Sequence, residues 1–179
     1  MHTNMTVKEV EPINGELHLF SLYVDFAASA RARKVAARIA RLAGPHWQTT
    51  SMIWKLDSLT ASGSIQQMAA KDAAFADVIL VAVSSLGQRE SGLIEWLDTL
   101  ACWQMDRPTP GLLLGLLGDE ENQTAELDWT VKSLRRCAEQ TGRDFMWHWT
   151  GEESDLDWLL EDTDKLLTRK SSLENEIAF

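Results

Sequence analysis

Two six-residue runs, Val78-Ile79-Leu80-Val81-Ala82-Val83 and Leu112-Leu113-Leu114-Gly115-Leu116-Leu117, carry no polar side chain at odd or even positions. A strand with one face in water alternates apolar and polar residues, whereas a strand covered on both faces does not need to. Six residues are too few for a core helix and far short of the roughly 20 needed to span a bilayer. These runs therefore read as central strands of a parallel sheet with helices on both faces.

The rest of the chain agrees with that reading. Leu17–Val24 reads as a first strand and Trp47–Leu56, loosely alternating, as a half-exposed second. Phe145–Trp149 reads as the last. Between them fall helical patterns: Ala28–Leu42, stopped by Gly44-Pro45; Ser64–Phe75, with Ser62 or Ser64 as cap; a stripe of Leu93, Ile94, Leu97 and Leu100; Ala125–Thr141, closed by Gly142; and Asp155–Leu167. Five strand–helix units predict an α/β fold, a three-layer, doubly wound, five-stranded parallel sheet. The chain divides into a polar leader (1–16), one domain (17–168) and a polar tail (169–179). Ligands of such sheets bind outside the carboxyl ends of the strands, which nominates the loops Asp25–Ala30, Ser84–Glu90 and Gly118–Asn122.

Composition narrows the function classes. A net charge of −10 argues against nucleic acid and anionic membrane as partners. The first residues lack the apolar run of a signal peptide, so a cytoplasmic protein is expected. Cys102 and Cys137 have no pairing or metal-ligand spacing, and both fall on helical patterns as small core hydrophobes. The four histidines are scattered, so no metal site is encoded locally. Ser84-Ser85 lacks the glycine-flanked elbow of a hydrolase nucleophile. Of the eight tryptophans, Trp96 and Trp103 stand seven residues apart on one side of a helix, either core or a homodimer seam. The first helix carries Arg31, Lys34, Arg38 and Arg41 as one stripe. Residues 150–165 hold Glu152, Glu153, Asp155, Asp157, Glu161, Asp162 and Asp164 against Lys165 alone, and the two segments are expected to neutralise one another.

The stretch from Ala76-Asp77-Val78-Ile79-Leu80-Val81 through Gly92-Leu93-Ile94-Glu95-Trp96-Leu97-Asp98 resembles the flavodoxin-like superfamily, its flavin reductases in particular. The resemblance implies strand order 2-1-3-4-5. It also implies a hydroxyl-rich loop after the first strand for the FMN phosphate, and flavin-contacting loops after later strands. On this chain those positions are Ser29 and Arg31, then Ser84, Ser85, Gly87 and Gln88. The chain departs from the pattern: its first loop opens with Asp25, and Asp119, Glu120 and Glu121 would repel a phosphate. Phosphoacceptor receivers share the topology, but here Asp25 lacks an acidic neighbour, Ser84 takes the acceptor position and Trp149-Thr150 replaces the expected lysine. The expectation is a binding or regulatory module with no recognisable catalytic site and no resident cofactor. The alternatives are an FMN-binding oxidoreductase and a degenerate, non-phosphorylated receiver-like domain.

Overall fold

The computed structural model describes residues 15–85, 90–103, 111–118, 125–149, 163–170 and 172. The two apolar runs are strands β3 (Val78–Val83) and β4 (Leu112–Leu117), every residue of both buried. They pair in parallel, Val78 against Leu112 through Val83 against Leu117. β1 (Gly15–Tyr23) lies on the other side of β3, β2 (Trp47–Lys55) beyond β1, and β5 (Asp144–Trp149) beyond β4. All five strands are parallel, in the order β2-β1-β3-β4-β5.

Because side chains alternate across a strand, each central strand feeds two cores. Leu17, Leu19, Leu80 and Leu114 face the α1 (Phe26–Ala43) side, where they meet Ala32, Val35 and Ile39, together with Leu166 from the helical residues 163–170. Phe20, Ile79, Val81 and Leu113 face α3 (Gly63–Phe75), α4 (Glu90–Ala101) and α5 (Ala125–Thr141) on the opposite side. α3 turns a row of alanines inward, Ala69, Ala70, Ala73 and Ala74, which lets it lie close to the sheet. α1 and α5 are followed by Gly44 and Gly142, whose positive φ values of 75° and 63° a residue without a Cβ adopts at no steric cost.

Several expectations are corrected. Leu56 does not close the second strand; it opens a short helix, α2 (Leu56–Thr60), that buries Leu56 and Leu59. Ser62 stands at the N-cap of α3, but its hydroxyl meets that of Ser64 at 2.9 Å rather than a helix N–H. Cys102 lies past the end of α4 and is exposed; only Cys137 is a core residue. Of the two placements open for Trp96 the core one is seen: it is fully buried, stacked on Phe20 with ring centroids 5.7 Å apart. Most of the acidic segment, including Glu152, Glu153, Asp155, Asp157, Glu161 and Asp162, lies outside the described residues, as does Trp158.

One buried group had no sequence signal. Arg143, directly before β5, donates from Nη1 to the Ala76 carbonyl at 2.9 Å and from Nη2 to those of Ala73 and Ala74 at 3.0 Å. These carbonyls belong to the last turn and C-cap of α3, where no N–H four residues on completes the helix ladder. A guanidinium from 67 to 70 residues away thus caps α3.

Candidate functional site

The carboxyl ends of β1 and β3 meet at one pole of the sheet, and Asp25 organises it. Asp25 is the N-cap of α1, in extended backbone, and its Oδ1 accepts the Ala28 N–H at 2.9 Å. The same carboxylate accepts the Ser84 hydroxyl at 3.0 Å and, through Oδ2, the Ser84 N–H at 3.3 Å. Arg31, in the second turn of α1, donates from Nη2 to the Ser84 hydroxyl oxygen at 2.5 Å. Carboxylate, hydroxyl and guanidinium therefore form one chain of hydrogen bonds joining the β1–α1 turn to the end of β3.

The electrostatics follow from these contacts. Burial alone would raise the Asp25 carboxyl above its ordinary value. The Ala28 N–H, the Ser84 hydroxyl and N–H and the Arg31 charge outweigh burial and hold it below that value. The pole thus carries a fixed, internally compensated negative charge. Gly118, just past β4, completes the wall: a Cβ there would stand 2.9 Å from the Ser84 carbonyl oxygen, so only glycine allows this approach.

Among the residues nominated from sequence, Arg31 and Ser84 come together here. Ser29 is nearly buried, and its N–H is spent on the Asp25 carbonyl at 2.9 Å. Ser85 is exposed beside Ser84. Gly87, Gln88 and residues 119–122 lie outside the described residues. The central group, Asp25, was legible only as an unfavourable carboxylate. Its sequence signal was the N-cap position before a helix. Phe26, next to it, is 90% exposed.

No protein-family profile matches the chain, and no curated protein sequence matches it. Among solved structures, it is similar to a short-chain flavodoxin associated with a non-canonical PDU bacterial microcompartment. The TM-score is 0.52 at 12% identity, over 88% of this chain and 99% of that one. The chain has the flavodoxin-like fold. An azoreductase from Bacillus anthracis and azoreductase AzrA align at TM-score 0.46 and 9% identity, over 90% of this chain and 98% of each of theirs. At such identities the likeness concerns the fold, and function rests on the site itself.

Proposed function

We propose that this chain is a flavodoxin-like binding or regulatory module and not a carrier of FMN. The observation that supports the reading is the position of the Asp25 carboxylate. A phosphate held at a helix N-terminus uses the first-turn N–H groups and the positive end of the helix dipole. Here the chain's own carboxylate takes the Ala28 N–H and the Ser84 hydroxyl and N–H. It is kept ionised, so an incoming phosphate dianion would meet a like charge within a few ångströms. The residues at this pole do not fit the phosphate of FMN.

The same juxtaposition bears on the receiver-like alternative. Asp25 follows β1 and Ser84 follows β3, the two places that carry acids in a phosphoacceptor site, and here a neutral hydroxyl stands at the second. A module on this pattern signals by binding rather than by aspartyl phosphorylation.

Flavin titration tests the proposal. Added FMN should keep its free fluorescence, and purified protein should show no absorbance band near 450 nm. A yellow protein, or saturable quenching of FMN, would reverse the reading in favour of an FMN-binding oxidoreductase. Ser29→Ala should in that case weaken the flavin.

A further inference from the structure

The two edges of the sheet are finished differently. β5, at one edge, is six residues long and begins at Asp144, whose carboxylate is paired with Arg169. Arg135 lies over Phe145, 5.7 Å from the ring centroid. Short length and charged side chains are how sheet proteins blunt an edge against further pairing. β2, at the other edge, has of these devices only Lys55, its last residue. It is nine residues long, bonded to β1 along its whole length from Gly15–Trp47 to Tyr23–Lys55. From Trp47 to Ile53 and Trp54 it holds no charge, no proline and no glycine, with Thr49, Thr50 and Ile53 supplying β-branched residues. Gln48, Thr50, Ser51 and Met52 are exposed, Met52 at 38%. No described element lies beyond it in the sheet. In a parallel pair, alternate N–H and C=O groups of the edge strand point away from its neighbour, so the outer side of β2 presents a row of donors and acceptors.

We propose that this edge pairs antiparallel with β2 of a second copy of the chain, about a two-fold axis at Ser51, making a ten-stranded sheet across the dimer. The occupant is argued from charge and self-complementarity. At a net charge of −10 two copies repel over most approaches. β2 carries no acidic residue, and its only charge is Lys55, already bonded to Asp57 at 2.9 Å. An antiparallel pair centred on Ser51 sets Thr50 opposite Met52 and Thr49 opposite Ile53 of the second copy. It also brings the two exposed Met52 side chains into diagonal contact, and no like charges face one another. At its ends it sets Lys55 opposite Trp47, an aromatic whose ring already lies 5.7 Å beneath the Lys170 ammonium. The arrangement is isologous, so it closes at two copies.

Sedimentation velocity over a dilution series of the full chain tests this. The wild type is expected to pass from monomer to dimer as concentration rises. Ser51→Lys and Ser51→Glu each place like charges face to face on the axis. Each should weaken self-association by about fivefold or more. Ser51 is exposed, so both variants should keep the wild-type circular dichroism. An equimolar mixture of the two should recover the dimer, because Lys then faces Glu. Variants that dimerise like the wild type would place the contact elsewhere and overturn the proposal. Loss of dimer without recovery in the mixture would overturn it too. A wild type that stays monomeric throughout would give the edge to a strand of another protein, and the proposal would fall.

Discussion

Asp25 does two jobs that a sequence reading separates. It caps α1, and it binds the end of β3 across 59 residues of chain. Its carboxyl sits below the ordinary value of 3.8, so its ionised form is favoured more in the folded than in the unfolded chain. The resulting stability is fully present above the unfolded pKa and is lost as pH falls through the lowered folded one. Asp25→Asn keeps a good capping residue but removes the charge. It should cost about 1 kcal/mol at neutral pH, the difference between a charged and a neutral acceptor. That loss should shrink toward zero in urea melts carried down through the acid limb, and an undiminished gap at low pH would contradict the assignment. The thiols make a second contrast. Cys137 is walled in beside the Leu97 carbonyl, and burial pushes its thiol up to about 12, while Cys102 is exposed. Reactivity follows the thiolate. Native protein at pH 8 should therefore release one equivalent of thionitrobenzoate from Ellman's reagent, and denatured protein two.

Among the elements, β3 and β4 carry the fold. Truncating Ile79 or Leu114 to Ala removes a side chain wholly inside one of the two cores, which should cost about 2–5 kcal/mol in lost transfer energy plus cavity. Chemical denaturation would check it; a cost near zero would mean that the site collapses or that the residue is not central. These strands were readable because burial on both faces leaves an unbroken apolar run. α2 was not readable, because Leu56 continues the alternation Thr50, Met52, Trp54 and only the packed structure shows the chain turning there. The pole was half readable. The topology rule nominated the loops that open at Asp25, Ser84 and Gly118, and Arg31 and Ser84 were nominated as residues. The contact among Asp25, Ser84 and Gly118 joins three strand ends far apart in sequence, and no local pattern encodes it. Arg143 is the same case, a lone basic residue whose role depends on where α3 ends.

For the molecule as a whole, the opposite pole of the sheet shows how the last described helical residues are held. Arg169 and Lys170, in the polar stretch from 169, both reach the sheet. Arg169 pairs with Asp144 across a well-exposed surface, side chains 47% and 56% accessible, a contact of about 0–1 kcal/mol. Lys170 is different. Its Nζ lies 2.8 Å from Asp77 Oδ2 and 2.6 Å from the Glu16 carbonyl, at 15% and 10% side-chain exposure, above the Trp47 ring. Asp77 Oδ2 also accepts the His18 N–H at 2.8 Å, so one carboxylate ties together β1, the start of β3 and residues 163–170. Removing the cation takes the ion-pair partner from a mostly buried carboxylate. Lys170→Met, which keeps the apolar stem over Trp47, should therefore cost about 3 kcal/mol. In a domain of this size that lowers the melting temperature by about 6–12 °C. Arg169→Met should move it by a small fraction of that. Adding Asp77→Asn to Lys170→Met should cost less than the sum of the single changes, since the two side chains form one ion pair. Lys170→Met melting with the wild type would mean that residue 170 is not docked on the sheet, and the clasp would have to be abandoned.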